Sequence, residues 1–316
     1  MNLHENKQLF DELLAAVAQI VGLPQLYVEK DYWVTKALEY LSKFSRVDEV
    51  VFKGGTSLSK AYRLIDRFSE DIDLVVFSDG MTQNACKTLI KQVETSVAQG
   101  LIYLKGDIRE SKGSKFRKTV YQYPKINEND SFGQASSKLL IEINSFSNPE
   151  PFEKVEIRSL ITDVLIEQKR QDIIDQYYLH GFLINVLSVE RTLVEKILGV
   201  VKDSYDEDPV ARLSNRVRHL YDICLILKHD EFRDFITSTG FKKLCKICIV
   251  DEQNTFLRKA GCFDRPLIEA PLFSEFKNWS KSIGLTYNGL FADLVYRELP
   301  TMTEIEETLG FIRDNL

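Results

Sequence analysis

No run of about 18 uncharged apolar residues occurs anywhere in the 316-residue chain, which excludes an ordinary transmembrane helix. The opening stretch, MNLHENKQLFDELL, has no basic region followed by an apolar core, so it does not read as a secretory signal. Cysteine is sparse: five residues at positions 86, 224, 245, 248 and 262, an odd and scattered set that does not make the disulfide framework of a small secreted domain. A reducing, cytoplasmic setting is expected. Basic charge is not in excess either, since 41 Lys and Arg against 47 Asp and Glu leave a net charge of −6. That balance excludes a surface built wholesale to coat nucleic acid. The phosphate-loop pattern GxxxxGK[ST] is missing, and Cys245-Lys246-Ile247-Cys248 has no partner pair at zinc-ribbon spacing, so it reads as buried free thiols in a helix rather than a metal site.

What is present is a chain that is 44% hydrophobic and long enough to bury a full core without staples. Leu9, Leu13, Val17 and Ile20 recur at helical spacing, and after the Gly22-Leu23-Pro24 break a second run carries Trp33, Ala37 and Leu41, which suggests an N-terminal helical cap over residues 1–48. From Val50 the pattern changes to a short strand (Val50, Val51, Phe52), a Gly54-Gly55 turn, a helix from Ser57 to Ile65 and a strand from Ile72 to Phe77. A helix over 82–98 and strands over 101–107, 117–123, 138–146 and 182–187 follow. In the third of these strands Leu139, Ile141 and Ile143 alternate with Lys138, Glu142 and Asn144. Ser188 is a fitting N-cap, and beyond it the chain reads as helical, with helices over 189–202, 212–228, 231–248 and 303–315. The expected fold class is α+β: a cap at 1–48, a mixed-sheet core at 49–187 and a helical domain at 188–316.

The densest constellation is Lys53-Gly54-Gly55-Thr56-Ser57 followed by Arg67-Phe68-Ser69-Glu70-Asp71-Ile72-Asp73-Leu74. Two glycines at a strand-to-helix turn allow close backbone approach to an anion such as phosphate, although a plain capped turn gives the same sequence. Asp71 and Asp73, two apart on a strand, share a face, while Ile72 and Leu74 point to the other. Two hard carboxylates with little His or Cys nearby suit Mg²⁺ completed by substrate phosphates; a strand edge facing water would alternate in the same way. Glu142 is the best-placed third carboxylate, or else a solvent-facing one. Lys196 falls on the apolar stripe of Val189, Leu193 and Val200, where it either snorkels or serves an anion. Arg218 and Asp222, one helical turn apart, could form a surface ion pair. His219 beside them could equally be structural. Segment 109–125 carries six Lys and Arg against one Glu, interleaved with Phe116, Tyr121 and Tyr123, and reads either as a solvated hairpin or as an RNA-contacting surface.

Taken together, these stretches resemble the AbiEii/AbiGii nucleotidyltransferase toxin family of bacterial toxin–antitoxin and abortive-infection (phage-defence) systems. The likeness runs from Val28-Glu29-Lys30-Asp31-Tyr32-Trp33-Val34 through Phe52–Leu58 and Arg67–Leu74 to Ser188–Lys196 and Arg218–Ile223. The resemblance implies a DNA-polymerase-β-like core with helical additions and a magnesium-dependent transfer from a nucleoside triphosphate. It assigns Gly55, Ser57 and Lys196 to nucleotide binding and Asp71 and Asp73 to the metal; Gly54, Thr56 and Ser69 are added to the nucleotide site from their place in the same motifs, and Glu142 to the metal from strand alternation. Asp71, Asp73, Lys196 and Asp222 form the implied catalytic set. The turn is Gly-Gly-Thr-Ser rather than Gly-Ser, which leaves open whether Thr56 or Ser57 meets the phosphates. The implied acceptor is an RNA 3′-hydroxyl, that of the tRNA acceptor end in some members, and the implied protein partner is a cognate antitoxin. Two other readings use the same residues: transfer to a protein or small-molecule hydroxyl, and a non-catalytic nucleotide- or partner-binding toxin. Mutual repulsion of Asp71 and Asp73 without a cation argues against the last.

Overall fold

The period-two apolar stretches all fall between Val50 and Leu187, and there the chain builds a single sheet. The structure is a computed structural model that describes residues 1–69, 71–126, 136–254 and 260–316; Glu70, within the motif that carries the aspartates, lies outside the described residues. The chain divides into two compact units, residues 1–63 with 68–187, and residues 64–67 with 188–316.

In the first unit eight strands, β1 (Val50–Lys53), β2 (Ile72–Val76), β3 (Ile102–Tyr103), β4 (Ser111–Lys112), β5 (Phe116–Gln122), β6 (Leu139–Asn144), β7 (Phe152–Ile157) and β8 (Phe182–Leu187), form a sheet. Its order is β3-β5-β6-β2-β1-β8-β7, with β4 on β5. The β2–β6 and β1–β8 pairs are parallel and the rest antiparallel, giving a mixed sheet in an α+β fold. Helices α1 (Lys7–Val21), α2 (Gln25–Ser42), α3 (Gly54–Lys60), α4 (Gln83–Val97), α5 (Leu160–Glu167) and α6 (Gln171–Tyr177) accompany it. α1 ends on Gly22, whose φ of 71° supplies the left-handed cap that a side chain would strain. α2 packs on α4 and β8, and α4 on β6. Val50, Phe52, Ile72, Leu74, Ile141 and Ile143 share one sheet face and are buried, as alternation requires.

Two local expectations are corrected. The helix expected over Ser57–Ile65 instead begins at Gly54 and stops at Lys60, and the chain then turns through Arg63 at a φ of 56°. Of the strand expected over 101–107 only Ile102 and Tyr103 pair, because the chain turns back at Gly106 with a φ of 81°.

The second unit holds α7 (Val189–Asp203), α8 (Pro209–Ser214), α9 (Val217–Ile226), α10 (Asp230–Thr237), α11 (Thr239–Asn254), α12 (Pro271–Thr286) and α13 (Met302–Arg313). Ser188 caps α7 by accepting from the Arg191 amide. The helix expected over 212–228 is two, α8 and α9. That expected over 231–248 also divides, because Ser238 is extended and its hydroxyl accepts from the amides of Gly240 and Phe241, starting a new helix. Among the described residues no single helix is long and apolar enough to cross a membrane.

Candidate active site

Strand register assembles the charged face of the sheet. Lys53 of β1 pairs with Asp73 of β2, Asp73 with Glu142 of β6, and Glu142 with Lys118 of β5. Directly paired residues share a face, so one row crosses four strands as cation, anion, anion, cation. Asp71 immediately precedes β2, and both aspartates are half-buried. Lys118 Nζ lies 3.2 Å from the Glu142 carboxylate in a pair that is about a third exposed.

Gly54 explains how the turn approaches this row. A Cβ there would stand 2.3 Å from Asp73 Oδ2, and φ is +84°, so both the space and the backbone demand glycine. Ser57 Oγ donates to the Gly54 carbonyl at 2.8 Å, and the Thr56 and Ser69 hydroxyls share a 2.9 Å hydrogen bond that ties the turn to the chain leading into Asp71. Thr56 and Ser57 are buried. α3 has seven residues and therefore little macrodipole, so the turn's suitability for phosphate rests on Gly54 and Gly55 rather than on a long helix axis.

Among the described residues no three His, Cys, Asp or Glu side chains gather as a complete metal cage. The donor set that exists, hard carboxylates on one face, suits a cation such as Mg²⁺ that takes one or two protein carboxylates and completes its shell with water and phosphate.

The second unit has its own buried centre. Asp222 on α9 is fully buried; Arg67 Nε and Nη2 donate to its two oxygens at 2.7 Å each, and Lys196 Nζ on α7 lies 2.8 Å from Oδ2. The surface pairing of Asp222 with Arg218 is therefore overturned: Asp222 points into the unit, and its partners are two buried cations. These charges hold the Asp222 carboxyl well below the usual carboxylate range despite its burial. Partial burial first, and then the Lys196 and Arg216 charges, lower the His219 pKa well below its ordinary value and favour the neutral ring. Arg67 was missed as a site residue. The only sequence signal was its place four residues before Asp71.

Segment 109–125 does not form a stacking surface. Tyr121 and Tyr123 are buried, and Phe116 stacks on Phe146 with ring centroids 5.9 Å apart. Arg109 pairs with Asp107, Lys112 with Glu110, Arg117 with Glu94 and Lys118 with Glu142, so four of the segment's six cations are already engaged by carboxylates of the chain. Cys245 and Cys248 are buried free thiols, pushed up to about 12 by burial.

The profile of the family described as "Nucleotidyl transferase AbiEii toxin, Type IV TA system" matches residues 36–273. The chain belongs to the AbiEii nucleotidyltransferase toxin family. Among solved structures, MenT4, a nucleotidyltransferase toxin from Mycobacterium tuberculosis, is similar with a TM-score of 0.52 at 14% identity, over 95% of this chain and 89% of that one. At that identity the likeness is one of fold. No curated protein matches the chain. Membership makes this AbiEii chain a nucleotidyltransferase toxin of a type IV toxin–antitoxin system, with a nucleoside triphosphate as its donor class and an antitoxin as its implied partner.

Proposed function

We propose that this AbiEii toxin transfers a nucleotide from a nucleoside triphosphate to an RNA 3′-hydroxyl, with the tRNA acceptor end as target. The reading is supported by the close approach of the Gly54 turn to Asp73, a carboxylate paired in register with Lys53 and Glu142. Asp71 and Asp73 would hold Mg²⁺, an ion that takes one or two protein carboxylates and completes its shell with water and phosphate; Glu142, engaged by Lys118, would be a neighbour on the same face rather than a ligand. The bound ion would neutralise charge on the triphosphate as an in-line attack at the α-phosphorus expels pyrophosphate. Gly54 and Gly55 present backbone to the phosphates, and the Thr56–Ser69 bond keeps that turn in register with Asp71. Lys53 supplies compensating charge beside Asp73. In the helical unit, Asp222 fixes Lys196, which the family resemblance assigns to nucleotide binding.

The test is incubation of the purified protein with Mg²⁺, total tRNA and each nucleoside triphosphate in turn, radiolabelled at the α-phosphate, beside the Asp71→Ala/Asp73→Ala variant. Label on RNA that disappears in the variant is the expected result and names the nucleotide. Label on protein instead of RNA would replace the acceptor; no label with any nucleotide would sink the reading.

A further inference from the structure

Within residues 27–31 of α2, Tyr27, Lys30 and Asp31 are attached to three different segments around the proposed site. Tyr27 stacks on Phe68, centroids 3.9 Å apart at 10°, and Phe68 lies in the chain that leads to Asp71. Lys30, with no exposed surface, donates to the carbonyls of Ser136 and Lys138, immediately before the strand that bears Glu142. Asp31 pairs through Oδ1 with Lys60, the last residue of α3, and accepts from the Leu160 amide through Oδ2 at 2.8 Å. The pair is largely buried, with 6% of the Lys60 side chain and 13% of the Asp31 side chain exposed.

A helix of seven residues is too short to hold itself in place, so its position is set by its anchors. α3 has Gly54 at one end, against Asp73, and Lys60 at the other, against Asp31. We infer that Asp31 and Lys60 are positioning residues for nucleotide binding: the buried ion pair fixes the far end of α3 and thereby the placement of the Gly54–Ser57 turn. The inference rests on the proposed role of that turn. It also gives a task to the Val28–Val34 stretch, to which the proposed chemistry assigns none.

The experiment compares wild type, Lys60→Met, Lys60→Arg and Asp31→Asn by two readouts: hydrogen exchange of the amides of residues 55–61, and the KM and kcat for the transferred nucleotide. Lys60→Met and Asp31→Asn should each speed exchange in that segment and raise the nucleotide KM by about tenfold while kcat changes less than about twofold, the pattern of lost uniform binding. Lys60→Arg should restore both, since it keeps the charge. If Lys60→Met fails to fold, Asp31→Asn, which retains an oxygen for the Leu160 amide, decides alone. Unchanged exchange and KM, or a fall in kcat with KM unmoved, would overturn the inference. A wild-type protein that transfers no nucleotide would instead defeat the functional reading, while the exchange measurement would still decide whether the pair anchors α3.

Discussion

One methyl group added at Gly54 would demand space that the Asp73 carboxylate already fills, on a backbone with φ at +84°. Gly54→Ala should therefore destabilise the protein by about 1–2 kcal/mol, the strain of a side chain in left-handed backbone. Displacing the carboxylate should also lower nucleotide transfer by about a hundredfold. Thermal unfolding and single-nucleotide incorporation measure the two effects separately, and wild-type activity in the variant would dismiss the close approach as incidental. Asp222→Asn removes the carboxylate shared by Arg67 and Lys196 and should cost about 3–5 kcal/mol in urea unfolding, as for a buried pair broken on one side. The two positions were not equally legible. Gly54 and the aspartates announced themselves by local spacing, whereas the Arg67–Asp222 pair joins residues 155 positions apart, and no periodicity reports such a contact.

At the level of the element, α9 carries the half-buried His219, whose surroundings favour the neutral ring. Its folded pKa lies below the unfolded value of about 6.5, so the unfolded chain takes up a proton first as pH falls. The stabilisation is complete above about pH 6.5 and declines below it; His219→Gln should flatten the fall in stability between about pH 7 and 5. A variant that tracks wild type through that window would show that another group controls it. Strand β5 yields a different expectation. Tyr123, just beyond its end, has no exposed surface, so Tyr123→Ala should lower stability by about 3–5 kcal/mol through lost packing rather than change RNA affinity selectively. Filter binding below the melting temperature separates the two. The central strands were readable because β2 and β6 alternate cleanly. Strand β7, with Glu153, Lys154 and Glu156 exposed on an edge, has no such pattern and was not foreseen. Helices were found by their apolar stripes but merged across Ser238, because a stripe continues through a cap that interrupts the backbone.

For the molecule as a whole, none of the five cysteines is in a disulfide, and four are buried. A thiol reagent should modify the partly exposed Cys262 first and reach Cys86, Cys224, Cys245 and Cys248 only as the protein opens, with all five reacting in denaturant. Rapid native reaction of Cys245 or Cys248 would contradict their burial.

Residues 64–67 belong to the helical unit although the chain on both sides belongs to the sheet unit. The backbone therefore passes from one unit to the other three times, at 63/64, 67/68 and 187/188. A cut after Leu187 would leave Arg67 on one fragment and Asp222 on the other, so neither half is a self-contained cassette. Chimaeras between relatives that exchange the helical half should keep their stability only if the four residues from Leu64 to Arg67 travel with it, a rule that recombination in this lineage would have had to obey.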